Sequence, residues 1–527
     1  MNRQKQIGKL RATKEFDICI IGAGATGAGI ALDATLRGLK VVLIDKSDFA
    51  GQTSSKSTKL IHGGVRYLEQ AVKKLDWEQY KMVRKSLRER EILLKNAPHL
   101  SHPLALLTPC FNLFEGIYYT IGMKIYEWIS GSANMPKSAW LSKKETLKRI
   151  PELKSKRLNS GVLYYDGQLD DARYCLAIVQ SAEANGAVVL NHAQALKFNK
   201  NEDNGRLEAL NVKDLMTDDE FVINAKVFVN ATGPFADSIR QMASSKLKSR
   251  IKVSRGAHVV LPREVMKGDT AILVPKTDDG RVIFMIPWQD HVLIGTTDEA
   301  DELSENPKLE EYEKTYLLEY VNRYFEKTVT PDQIKSGFAG LRPLLQAQLQ
   351  TAMNADTKSI VRDHEVEIDR RTKLVSIMGG KWTTYRLMAK DTLDEIYKEI
   401  LKKEIVKCTS ENQILHGGEN YRFEDWQELV NKYGISEFTA QHLMKKYGVK
   451  AMNVLQLTDN QPNLKELLSQ NHPFIKAEIV YVIQEEMATT VDDILERRLG
   501  LKLRDEVASK SVEPYVEGVL GKVLIEG

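Results

Sequence analysis

Six residues, FDICII at Phe16–Ile21, are apolar apart from Asp17 and run directly into glycines. That pattern predicts a short strand buried on both faces of a parallel sheet. GAGATG follows, then AGIALDATLRG, whose alanines and leucines predict a helix ending near Gly38. LKVVLI at residues 39–44 predicts a second strand, closed by Asp45. Strand, glycine turn, helix and strand, in this order and length, make a βαβ unit.

Farther along, residues 68–94 carry Leu68, Val72, Leu75, Val83 and Leu87 at irregular three- and four-residue steps in a charged setting, which predicts one or two amphipathic helices. Their solvated faces are basic in KMVRKSLRER. Residues 104–129 form the most apolar stretch, but Glu115, Lys124 and Glu127 interrupt it and Gly116 and Gly122 loosen it. A pair of core helices or an interfacial contact is expected there, not a span. The middle of the chain reads as strands: residues 227–229 precede NATG, while 281–286 and 292–294 flank the turn-like PWQDH. Beyond Thr383 the periodicity is helical, with Leu393, Ile396, Tyr397, Ile400 and Leu401 on one face, and Thr490 to Asp493 resembles a capping box opening DDILERRLG.

A chain of 527 residues, 43% hydrophobic and 28% charged, can bury a large core and is long enough for more than one domain. Lys+Arg 75 against Asp+Glu 71 leaves only +4, so net charge implies no nucleic-acid partner. Cys19, Cys110, Cys175 and Cys408 are far apart and show no CxxC spacing, which argues against a structural metal or a disulfide framework and fits a reducing cytoplasm. The N-terminal MNRQKQIGKLRATKEFD lacks the apolar core of a secretory signal, and no run approaches the roughly 20 apolar residues of a spanning helix.

Gly22, Gly24 and Gly27 match GxGxxG with a strand before them and a helix after. The first glycine suits the tight turn, the second lets a pyrophosphate approach backbone N–H groups, and the third permits close helix-to-strand packing. Asp45, ending the next strand, can accept from ribose hydroxyls. The loop after it, GQTSSKSTKLIHGG, is polar and long enough to run beside the second half of a large cofactor, which favours FAD over NAD. It offers Ser54, Ser55, Lys56, His62 and Gly63 as cofactor contacts. Thr232 and Gly233, in NATG, end a strand where backbone can approach the cofactor again. Gly380, Lys381, Thr383 and Thr384, in GGKWTT, lead into a helix whose N-terminal partial charge would stabilise the flavin N1–C2=O2 edge as reduction makes it anionic. The expected fold is α/β: an FAD-binding Rossmann-like domain interleaved with a mixed-sheet substrate domain over residues 1–407, then an all-α domain over 408–527.

GAGATG, SSKSTKLIHGGVRYLE, GRVIFMIPW with GTTDE, GLRPLL, SIVRDH at residues 359–364 and GGKWTTYR occur in that order. Together they resemble the FAD-dependent, quinone-linked glycerol-3-phosphate dehydrogenases over nearly the whole chain, and the helical tail is similar to that family's C-terminal domain. Asp45 stands where many FAD enzymes carry the longer Glu. The resemblance implies oxidation of sn-glycerol 3-phosphate to dihydroxyacetone phosphate. Electrons would pass to a membrane quinone from a cytoplasmic enzyme held peripherally on the inner face of the cell membrane, with a homodimer as an expected assembly and no nucleic acid. Rival readings are an oxidase that hands electrons to O2, an amine or amino-acid oxidase of the same superfamily, and a flavin-bound protein without turnover.

That reaction needs a base near the C2 hydroxyl and cations for a dianionic phosphate. Arg66 and Arg362, with Tyr67 as an added donor, are the candidate phosphate clamp, because a guanidinium makes paired bonds to phosphate oxygens. Arg342 is expected beside the reacting hydroxyl, where it would stabilise developing negative charge. His258, in RGAHVVLP, is the candidate general base, since imidazole titrates near neutrality. Lys381 is the third candidate catalytic residue.

Overall fold

Phe16–Ile21 lies inside a parallel sheet, between Val41–Ile44 on one side and Glu220–Asn230 on the other. The structure, a computed structural model, describes residues 1–64, 76–131, 135–346 and 364–526. Across this first sheet the order is His364–Ile368, Val375–Gly379, Glu220–Asn230, Phe16–Ile21, Val41–Ile44, Val188–Leu190, and only the first of these pairs antiparallel. Ile18, Cys19 and Ile20 are fully buried, as the uninterrupted apolar run requires. The helix Ala25–Leu36 is flanked by Asp171–Ala184 and Tyr385–Ile396. Gly29 permits the second of these contacts: a Cβ there would stand 2.7 Å from Tyr385 Cδ2.

The second sheet is mixed. Ile251–Pro262 pairs antiparallel with both His291–Gly295 and Ser336–Leu345, whereas Ala271–Val274 runs parallel to Ser101–Cys110. Ile283–Trp288 and His291–Gly295 form the hairpin expected around PWQDH. Successive residues feed opposite faces, as strand geometry dictates. Leu107, Val259, Leu261 and Ile272 enter one core with the helix Glu311–Tyr324, while Leu106, Val260 and Leu273 enter another. His258, two residues from Val260, therefore shares the face of that second core.

Residues 104–129 are not a helix pair. Their first part belongs to the strand Ser101–Cys110, and only Leu113–Ser130 is helical. A continuous apolar run is ambiguous between the two states, and here both faces of the strand find cores to enter. The helix leaves Phe114 83% and Trp128 77% exposed. Among the described residues no helix is long and apolar enough to cross a membrane. The basic sequence before it forms the helix Trp77–Asn96.

From Leu429 to Leu520 the chain builds a separate core from helices alone. The expected capping exchange is present: Thr490 Oγ1 accepts from the Asp493 amide at 3.1 Å, and Asp493 Oδ2 accepts from the Thr490 amide at 3.0 Å.

Candidate active site

A cavity of about 1270 Å³ is lined by residues of both sheets. At one end is the glycine turn. Gly22 has φ of +102°, and a Cβ on it would lie 2.7 Å from Ala231 O; on Gly27 it would lie 1.8 Å from Gly22 O. The turn therefore tolerates no side chain at either position. The helix Ala25–Leu36 opens on the cavity behind a glycine, with no acid in its first turn, and presents an approaching anion with a positive dipole end; Ser54 Oγ accepts from its first amide, Ala25, at 3.0 Å. Asp45 is half-buried on the cavity wall, accepting from the Ala23 amide at 2.6 Å and the Ser47 amide at 2.8 Å. Desolvation raises its pKa from the ordinary Asp value, against the lowering effect of those amides. Beside that helix, Gly379 and Gly380 adopt positive φ, and the helix Tyr385–Ile396 begins without a side-chain cap from its own N-cap residue or an early acid. Trp382 Nε1 donates to Ser54 O at 3.0 Å and ties this segment to the polar loop.

Of the expected cofactor contacts, Gly22, Gly24, Asp45, Ser54, Lys56, His62, Thr232, Gly233, Gly380, Lys381 and Thr383 border the cavity. Gly27, Ser55, Gly63 and Thr384 do not; each serves the fold behind the wall. The Gly63 amide donates to Tyr126 Oη at 2.7 Å, Ser55 Oγ to Gln52 O at 3.2 Å, and Thr384 Oγ1 to Lys381 O at 3.2 Å. The phosphate-clamp candidates Arg66, Tyr67 and Arg362 lie outside the described residues.

Farther in, His258 and Arg342 come together on the second sheet, from paired strands in which Ser254 stands opposite Arg342. The imidazole stacks on Phe338 at 5.0 Å between ring centres, and its Nε2 lies 3.0 Å from Thr58 Oγ1. Bare glycines make room for both side chains. A Cβ on Gly295 would stand 2.2 Å from His258 Cδ2, and one on Gly256 would stand 2.2 Å from Arg342 Nη2. Arg342 donates to Thr296 Oγ1 at 2.8 Å and Thr297 O at 3.0 Å, and it lies 3.3 Å from Asp298. Burial first, then the charges of Arg342 and Lys59, hold the His258 pKa well below 6.5, so the ring is neutral near pH 7. Lys381 borders the cavity with Nζ 3.6 Å from Met82 Sδ.

Lys59 escaped the sequence reading. It is buried, with Nζ 2.5 Å from Asp171 Oδ1 and 2.6 Å from Ser55 O, and it lies over the rings of Trp288 and Phe338. In the string SSKSTKL nothing separates it from Lys56. Its partner is 112 residues away, and that pairing is the missing signal.

The cavity thus joins a dinucleotide turn to a neutral histidine beside an arginine. The FAD dependent oxidoreductase family matches residues 17–366, and the C-terminal domain of alpha-glycerophosphate oxidase matches residues 408–525. A probable mitochondrial glycerol-3-phosphate dehydrogenase of Caenorhabditis elegans is 39% identical over 99% of this chain and 72% of its own length. The chain belongs to the FAD-dependent glycerol-3-phosphate dehydrogenase family. Its cofactor is FAD, which the two helix N-termini without acids and the bare glycine turn suit. A Bacillus halodurans glycerol-3-phosphate dehydrogenase, solved in complex with FAD, superposes with a TM-score of 0.76 at 28% identity, covering 99% of this chain and 96% of that one. An L-alpha-glycerophosphate oxidase of Mycoplasma pneumoniae shares the fold at a TM-score of 0.56 and 16% identity, over 76% of this chain and 98% of its own.

Proposed function

We propose that the protein oxidises sn-glycerol 3-phosphate to dihydroxyacetone phosphate, with hydride leaving C2 for flavin N5 and electrons passing on to a membrane quinone. The observation that carries this reading is the neutral, buried His258 beside Arg342, on the wall of a cavity that begins at the dinucleotide turn. FAD supplies the two-electron acceptor. His258 takes the hydroxyl proton at Nε2, the nitrogen that faces Thr58. The guanidinium of Arg342 stabilises the oxygen as negative charge develops on it. Lys381, which borders the same cavity, neutralises charge there, and Arg66, Tyr67 and Arg362 hold the phosphate, on the strength of the motifs that contain them. In this reading residues 1–407 are the catalytic unit and 408–527 the helical one.

The membrane acceptor is supported by the helix Leu113–Ser130. It exposes Phe114 and Trp128 to solvent, while its Tyr118, Ile121 and Gly122 border the cavity. The neighbouring helix Trp77–Asn96 exposes Lys81, Arg84, Lys85 and Arg88, a basic face suited to anionic lipid. In this reading the enzyme sits peripherally on the inner face of the cell membrane, and electrons leave where the apolar helix meets the cavity. The test is reoxidation of the substrate-reduced protein. Recovery of the oxidised spectrum with a soluble quinone analogue, and slow recovery with oxygen, is expected. Fast recovery with oxygen and release of peroxide would replace the quinone with O2.

A further inference from the structure

The loop at residues 46–58 is held from two sides. Toward the cavity it presents Ser47, Gln52, Ser54 and Lys56. Behind it Asp48 is fully buried, and its carboxylate accepts four hydrogen bonds. Arg497 Nε donates at 2.7 Å, Arg498 Nη1 at 2.5 Å and Nη2 at 2.9 Å, and Asn191 Nδ2 at 3.0 Å. Both arginines belong to the turn Asp493–Arg498 of the C-terminal helices. Two more ties leave that same turn. His192, which also borders the cavity, has Nε2 3.0 Å from Asp493 Oδ2, and Lys56 Nζ lies 3.6 Å from Glu496 Oε1.

The backbone that these ties reach is strained. Ala50 has φ of 59° and His192 φ of 50°, in the left-handed region that non-glycine residues rarely enter. They stand two residues after Asp48 and one after Asn191. Asp48, His192 and Asp493 are also close enough together to suggest a metal site. Yet the oxygens of Asp48 are already occupied by N–H donors, three of them from guanidinium groups, and a cation there would be repelled.

We propose that the turn Asp493–Arg498 is a clasp by which the C-terminal helices control FAD retention, with Arg498 as the principal positioning residue. A shared loop makes the coupling reciprocal: whatever seats the turn tightens FAD, and bound FAD seats the turn. The proposal rests on the reading that residues 46–58 border FAD.

The test is release of FAD from purified holoenzyme on dilution, followed by the rise in flavin fluorescence. Arg498→Ala is expected to release FAD about 10- to 100-fold faster, and Arg498→Lys, which restores the charge and one donor, to fall between it and the parent. Glu496→Gln, a milder change, is expected to speed release a few-fold, and it decides the matter if Arg498→Ala does not fold. Parental release rates in the folded variants, with only a lower melting temperature, would reduce the ion pairs to a structural seat and overturn the proposal. A parent protein that takes up no FAD would sink the cofactor-loop reading and the proposal with it.

Discussion

His258 is neutral because the protein denies it water and surrounds it with cations, and this makes its pH behaviour a direct test of its role. The ring cannot protonate until the pH falls well below 6.5, so flavin reduction by substrate should show no loss of rate through that range. A limb centred near 6.5 would assign the proton to another group. Replacing His258 with Gln should slow flavin reduction by about 100-fold or more while FAD stays bound. Arg342→Ala should cost a comparable factor, about 100- to 1000-fold, in the same half-reaction. Near-normal turnover in that variant, with FAD retained, would remove Arg342 from the mechanism. The sequence offered both as candidates, Arg342 from its place in GLRPLL and His258 as an imidazole in RGAHVVLP, and both border the cavity. It did not offer Lys59, because the distinction of that residue lies in the buried Asp171 that pairs with it. Lys59→Met should leave that carboxylate uncompensated and cost about 3–5 kcal/mol of stability, measurable by denaturant unfolding.

Among the elements, the βαβ unit and the PWQDH hairpin were readable because period, glycine and turn residues agree there. Of the two readings of the apolar stretch at residues 104–129, a helix pair or an interfacial contact, the helix pair was wrong, because hydrophobicity without a period does not distinguish a strand with a core on each face from a buried helix. The glycines behind His258 were also unreadable, since the reason for Gly295 is a ring reaching across from the paired strand. Gly295→Ala should therefore displace the imidazole and slow substrate oxidation while FAD binding persists; an unchanged rate would mean the ring has another resting place. The helix Leu113–Ser130 makes a prediction of its own. The double substitution Phe114→Asp, Trp128→Asp should abolish flotation with anionic liposomes while leaving flavin reduction by substrate intact. A parent protein that stays wholly soluble in the same experiment at low salt would contradict the docking face.

Over the whole molecule, several histidines are buried uncharged. Burial lowers the pKa of His99 to about 3, takes His258 well below 6.5, and lowers that of His442 in spite of its Glu478 partner. In the unfolded chain these groups take up protons below about 6.5. The native state refuses those protons, so the stability they contribute is complete above that pH and drains away as the pH falls toward the folded values. The melting temperature should decline from about pH 6.5 downward; a constant value from about pH 7 down to about pH 5 would contradict the burial assigned to them. The α/β architecture with a helical tail was legible from element order alone, whereas the contacts binding that tail to residues 46–58 were not, since they join groups about 450 positions apart in the chain. The account as a whole is tested most directly by mixing the flavin-loaded protein anaerobically with glycerol 3-phosphate and following the oxidised flavin band. It predicts rapid bleaching, slowed several-fold by deuterium at C2, and a flavin that stays oxidised would contradict it.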